Sequence, residues 1–170
     1  MNLRVLGVDP GTATLGYGLI SYDGRDYEAI EHGVIRTPAK TRLADRLLTI
    51  HRELTECIQR AQPDHVAVEE LFFARNITTA LMVGHARGVI LLTAAECGLP
   101  IFEYTPMQVK QSLVGYGGAD KHQIQTFLRL LLNLKELPRP DDAADALAIA
   151  LCHCNSYRLN QLAGLERGKG

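Results

Sequence analysis

The stretch LRVLGVDPG at residues 3–11, followed by LGYGLISYDG at 15–24 and YEAIEHGVIRTP at 27–38, decides the fold. The first run is rich in apolar residues and ends in Pro10-Gly11. The second is rich in β-formers and ends in Asp23-Gly24, and the third is stopped by Pro38. Runs of this kind bounded by turn residues predict strands, here a three-stranded antiparallel meander.

Downstream the period changes. Leu43, Leu47, Ile50, Leu54 and Ile58 recur at steps of three and four, which predicts an amphipathic helix over 41–62, stopped by Pro63. A buried-type strand over 65–69 follows, then a largely apolar helix over 77–97, a short strand over 101–104 and a short helix over 106–113. Strand, helix, strand, helix, strand in succession favours right-handed parallel crossovers. Gly115-Tyr116-Gly117-Gly118 then leads into a second amphipathic helix from Asp120, with Ile124, Phe127, Leu128 and Leu131 on one face. A last helix is expected from about Asp141 to Tyr157.

The chain of 170 residues suits one domain and is too short for two lobes closing over a cofactor. Residues 1–158 are expected to form that domain, and 159–170, with little left to bury, a flexible C-terminal tail. The longest apolar stretches, 88–95 and 146–152, fall short of a membrane span, and Met1 leads directly into an apolar-rich strand, so a soluble cytoplasmic protein is expected. Cys57 and Cys97 stand alone and Cys152-His153-Cys154 lacks a second ligand pair, so the cysteines read as buried thiols in a reducing compartment. Charge is balanced overall, 18 basic against 19 acidic residues, but residues 75–135 carry Arg75, Arg87, Lys110, Lys121, Arg129 and Lys135 against Glu96, Glu103 and Asp120. That modest basic stretch is compatible with a polyanionic partner.

Four acids lie at the ends of these elements. Asp9 ends the first strand and Glu69 the fourth; if those strands are parallel neighbours, both carboxylates emerge at one sheet edge, where open α/β sheets place their sites. Asp142 and Asp145 are one turn apart at the start of a helix that is otherwise apolar nearly all round, where acids need a partner. Singly, each has an ordinary explanation: a turn residue at Asp9, a first-turn acid at Asp142, surface exposure at Glu69 or Glu70. Jointly they form the oxygen-rich cluster that two-metal phosphoryl transfer requires.

With these positions placed, the chain resembles the RuvC family of Holliday-junction resolvases almost end to end. The resemblance rests on Gly7-Val8-Asp9-Pro10-Gly11-Thr12 with Gly16-Tyr17-Gly18, on Ala67-Val68-Glu69, and on Ala86-Arg87-Gly88-Val89. It continues through Phe102-Glu103-Tyr104 with Gln108-Val109-Lys110-Gln111, Val114-Gly115-Tyr116-Gly117 with Ala119-Asp120-Lys121, and Asp142-Ala143-Ala144-Asp145-Ala146-Leu147-Ala148. It implies a ribonuclease-H-like α/β fold: a five-stranded mixed sheet, strands 1–3 antiparallel and strands 4 and 5 parallel to strand 1, flanked by helices. It also implies a homodimer that makes paired symmetric nicks in a four-way junction during recombination and repair, leaving 5′-phosphate and 3′-hydroxyl ends.

By the same resemblance, Asp9, Glu69, Asp142 and Asp145 are the catalytic acids and hold two Mg2+ ions, for which Mn2+ substitutes. The resemblance selects Glu69 over Glu70 and Asp142 over Asp141, and Asp141 is assigned as the helix cap after Pro140. Some family members carry His at the position of Asp142. Lys110 and Lys121 match lysines associated with DNA contact, and Phe72 matches an aromatic that stacks on bases. Phe73, Arg75 and Thr12 are further DNA-contact candidates. The RuvAB branch-migration complex is the implied partner, with nucleoid association during repair.

Ala80, Gly84 and Gly88, four apart on one helix, leave a small-residue stripe that either seats the helix on the sheet or lines a dimer interface. Three rival functions remain open at this point: an actin-like-fold phosphotransferase, from the Asp9-Pro10-Gly11-Thr12 turn; a non-catalytic junction-binding module; and a nuclease for other branched DNA or RNA.

Overall fold

The structure, a computed structural model, describes residues 2–70 and 76–163. Strands β1 (Leu3–Asp9), β2 (Thr14–Tyr22) and β3 (Tyr27–Arg36) are followed by helix α1 (Leu43–Ala61) and strand β4 (His65–Glu69). Helix α2 (Ile77–Glu96), strand β5 (Ile101–Tyr104) and helices α3 (Pro106–Val114), α4 (Lys121–Leu131) and α5 (Asp141–Leu162) complete the order. The sheet runs β3-β2-β1-β4-β5, with β1, β2 and β3 antiparallel and β1, β4 and β5 parallel. This is the five-stranded mixed sheet expected from the sequence.

Side-chain alternation sorts the strands onto two faces. Leu6 and Val8 of β1 and Val66 and Val68 of β4 pack with Ile50, Leu54 and Ile58 of α1 and Ala86, Ile90 and Ala94 of α2. Leu3, Val5 and Ala67 point the other way, into a core with α5, Val109 and Leu113 of α3, and Leu128 of α4. Asp9 follows the parity of Val5, and Glu69 that of Ala67, so both acids emerge on the α5 face.

The helix that closes that face lies unusually low on the sheet. A Cβ at Gly7 would stand 2.0 Å from the carbonyl oxygen of Ala146, and one at Gly16 would stand 2.0 Å from that of Asp142. Only hydrogen at these positions lets the α5 backbone rest directly on β1 and β2. From Ala146 to Cys154 every residue of α5 is buried, which explains why this stretch shows no amphipathic period.

Two boundaries differ from expectation. Helix α5 continues to Leu162, five residues past Tyr157, so residues 159–162, placed in the tail from sequence, are helical; Leu159 and Leu162 are largely exposed. Asp141 is the first residue of α5 rather than its cap, and the cap position is Pro140, which supplies no side-chain bond. Helix α2 is, among the described residues, long and apolar enough to cross a membrane by length and composition. His85 and Arg87 interrupt its apolar sequence.

The cysteines are free; Cys57, Cys152 and Cys154 are buried. Burial pushes the Cys57 thiol up to about 11 and that of Cys154 to about 12, so neither supplies thiolate near neutral pH.

Candidate active site

At the carboxyl ends of β1 and β4 an open cavity of about 290 Å³ is lined by Asp9, Glu69 and Asp145 together with Lys110 and Lys121. Its walls are Pro106 and Val109 of α3, Ile124 of α4, and Ala148 and Ile149 of α5. Residues from five elements therefore meet here, and each has a local reason for its position. The register Val8↔Val68 carries β1 and β4 forward to Asp9 and Glu69 as the next residues. Asp145 is one turn into α5, pressed down by the Gly7 and Gly16 contacts. Capping boxes at Thr105/Gln108 and Asp120/Gln123 fix the starts of α3 and α4, and hence the lysines each carries.

The acids repel one another in a partly buried site. Burial, then the charges of Glu69, Asp145 and Asp142, push the Asp9 carboxyl up to about 8, against the pull of Lys121. Glu69 is raised by burial and by Asp145, with Lys110 opposing. Asp145 is raised by burial, with Lys121 opposing and Asp141 and Asp142 adding to the shift. Asp142 does not line the cavity, but its charge reaches both Asp9 and Asp145.

Lys121 is held at the rim. Its Nζ lies 2.9 Å from Asp141 Oδ2 and 3.8 Å from Asp145 Oδ2. Gln125 Nε2 donates to Asp141 Oδ1 at 3.4 Å, tying α4 to the start of α5. Sequence reading did not anticipate this pairing of Asp141 with Lys121; their separation of 20 residues gives no local signal.

Among the described residues, no group of three or more His, Cys, Asp or Glu side chains is arranged to hold a metal ion as it stands. The chemistry of the donors nevertheless suits hard divalent cations, which take carboxylate oxygen. An Asp9 carboxyl raised to about 8 by burial and then by its acidic neighbours marks a pocket short of positive charge.

Other candidates fall elsewhere. Thr12 is buried, and its carbonyl accepts the Thr37 hydroxyl, which braces the turn after β1. Arg87, counted in the basic stretch, is paired with Glu103 and is not a free cation. Gly88 is exposed with open space where a Cβ would point, and the buried residues of α2 are Ala86, Ile90, Thr93 and Ala94. Gly88 therefore does not seat α2 on the sheet; Ala80 and Gly84 are half-buried. Phe72, Phe73 and Arg75 lie outside the described residues.

Acids gathered where β1, β4 and α5 meet, on a sheet ordered β3-β2-β1-β4-β5, define a nuclease of the ribonuclease-H-like class. Residues 5–153 match the family described as crossover junction endodeoxyribonuclease RuvC. A relative of that name from Desulfitobacterium hafniense is 57% identical over 163 residues, covering 95% of this chain and 99% of its own. One from Heliobacterium modesticaldum is 58% identical over 152 residues, covering 89% and 94%. The structure of Thermus thermophilus RuvC in complex with a Holliday junction substrate superposes with a TM-score of 0.89 at 41% identity, covering 93% of this chain and 96% of that one. The yeast mitochondrial Holliday junction resolvase shares the fold, at 16% identity and a TM-score of 0.64, over 96% of this chain and 84% of its own. The chain belongs to the RuvC family.

Proposed function

We propose that the protein resolves four-way DNA junctions in recombination and repair, by paired symmetric nicks that leave 5′-phosphate and 3′-hydroxyl ends. The observation that carries this reading is the juxtaposition of Asp9, Glu69 and Asp145 with Lys110 and Lys121 in one open cavity. Acids alone would suit a metal store; acids facing lysines suit a metal-assisted attack on a phosphodiester.

Asp9, Glu69 and Asp145, with Asp142 contributing from the rim, would hold two divalent cations, Mg2+ or in its place Mn2+. The chemistry such cations supply is activation of a water and neutralisation of charge on the phosphate and the departing 3′ oxygen. The chain's own part is to gather the acids, to keep apolar walls at Val109, Ile124 and Ile149 behind the reacting phosphate, and to offset its charge with Lys110 and Lys121. Phe72, Phe73 and Arg75, in the segment after β4, remain candidates for DNA contact, Phe72 by stacking on bases near the junction centre.

A junction with near two-fold symmetry calls for two sites, and α2 offers the surface for a second copy. Ile77, Leu81 and Leu92 are exposed on it alongside Gly88. Such a patch on a helix is costly in water and favours a symmetric partner. The RuvAB branch-migration complex is the partner expected to deliver the junction, in the cytoplasm at the nucleoid.

The test is a synthetic mobile four-way junction beside a matched linear duplex, with Mg2+, Mn2+ or chelator, wild type beside Asp9→Asn. Paired symmetric cuts in the junction alone, lost with chelator and in the variant although the variant still binds, are expected. Binding without cutting in either metal leaves a non-catalytic junction-binding module as the better account.

A further inference from the structure

We propose that the cleft between the outer side of α4 and the segment leading into α5 is a track for the phosphate backbone of a junction arm, continuing outward from the acid cavity. This rests on the endonuclease reading and extends it to a surface that reading does not use. The cleft has a volume of about 530 Å³ and is lined by His122, Thr126 and Arg129 on one side and Lys135, Glu136 and Arg139 on the other. His122, Thr126 and Arg129 stand at steps of four and three on α4, so they share a face. Arg129, Lys135 and Arg139 are exposed, and among the described residues none of them forms an ion pair.

Three permanent cations with one carboxylate around a single cleft are a local excess of positive charge in a chain of net charge −1. Elsewhere several such groups are paired: Arg60 with Glu31, Arg87 with Glu103, Lys121 with Asp141. Cations left close together repel, and a polyanion is the partner that relieves them. Position selects DNA over an acidic protein segment. His122 directly follows Lys121, which lines the acid cavity, and the charge of Arg139 reaches Asp141 at the start of α5. From His122 to Arg129 the helix advances about 10 Å at 1.5 Å per residue. That is about three steps of 3.4 Å along one DNA strand. Long cationic side chains along an open, polar cleft suit phosphates, which position the duplex, rather than base edges.

The test uses the full-length protein, a long-armed junction, and Arg129→Gln/Lys135→Gln beside Glu136→Gln. The double variant should weaken junction binding roughly tenfold and flatten the slope of log affinity against log salt by roughly 1.8, two phosphate contacts' worth. Its single-turnover cleavage at saturating protein should stay near wild type, because neither residue lines the acid cavity. Trimming the arms to a few base pairs should cost the wild type affinity and the double variant little. Removing the cleft's one acid in Glu136→Gln should act in the opposite direction and tighten binding. An unchanged salt slope and affinity in the double variant overturns the proposal and leaves the cleft to an acidic protein segment. If the wild type neither binds nor cuts the junction, the endonuclease reading itself has failed, which is a separate result.

Discussion

Gly16 of β2 lies directly under the backbone of Asp142: a Cβ there would stand 2.0 Å from the Asp142 carbonyl oxygen. The contact sets how low the first turn of α5 sits, and with it where Asp142 and Asp145 stand relative to Asp9. Gly16→Ala should therefore lift that turn. The obstruction is backbone, which cannot swing aside, so overpacking should cost about 1–3 kcal/mol. Junction cleavage should fall at least tenfold, while Gly118→Ala, exposed and with only ordinary contacts for a Cβ, leaves rate and melting temperature near wild type. Equal rates in both variants would refute this role for Gly16.

Asp9 is the acid whose protonation is most displaced, with burial and three neighbouring carboxylates holding it near 8. A carboxyl raised in the folded state binds its proton more tightly there than when unfolded. Its contribution to stability is fully present below the ordinary carboxylate range and is lost as pH rises through about 8. In chelator, the advantage of Asp9→Asn over the wild type should thus grow between pH 4 and pH 8. By pH 8 it should reach about 2 kcal/mol, or roughly 4–8 °C in melting temperature for a domain of this size. The same variant should not cut. Divalent cation should raise the wild-type melting temperature and leave the variant's unchanged. A variant that melts at or below the wild type at pH 8 would show that Asp9 is not electrostatically strained.

The alternation of β1 and β4 and the spacing of α1 were readable in the chain because strand parity and helical period are local properties. So was the meeting of Asp9, Glu69 and Asp145, which line one cavity, whereas Asp142 lies outside that lining. What was not readable came from contacts between distant segments. Thr12 looks exposed in a Gly-Thr-Ala turn, yet the Thr37 hydroxyl closes over its carbonyl. Arg87 looks like a free cation until Glu103 of β5 meets it. Asp141 has the identity of a helix cap, but its carboxylate is turned outward to Lys121. The glycines of β1 and β2 carried the least signal of all, since what they permit is the approach of a helix more than 120 residues away.

His153 is buried in α5, its Nδ1 2.7 Å from the Tyr104 hydroxyl and its Nε2 2.8 Å from His65 Nδ1, beside the Phe102 and Tyr157 rings. Burial first, and then the neighbouring His65, lower its pKa to about 3. The folded state therefore holds this ring neutral while the unfolded chain protonates it below about 6.5. The stability it contributes is present above that pH and is lost as pH falls toward 3. One such group steepens the acid limb by up to about 1.4 kcal/mol per pH unit. His153→Gln should lower stability at pH 7 and flatten the limb between pH 6 and pH 4, as read by urea unfolding. A variant whose limb keeps the wild-type slope would assign acid sensitivity to other groups.

Lys121 sits between two carboxylates of different kinds, 2.9 Å from the exposed Asp141 and 3.8 Å from Asp145 inside the cavity. The pair raises the Lys121 ammonium and lowers the Asp141 carboxyl, chiefly through their mutual hydrogen bond. Exposed ion pairs of this kind stabilise little, so the arrangement is better understood as parking: Asp141 holds the ammonium at the rim until a phosphate displaces it. The two residues should then separate in kinetics. Lys121→Ala should slow single-turnover junction cleavage about 100-fold or more, the range for losing one positioned charge in an active site. Asp141→Asn should cut within about threefold of wild type, because the parked state is not the reacting one. If Asp141→Asn is as impaired as Lys121→Ala, the carboxylate acts in the reaction itself and the parking role is wrong.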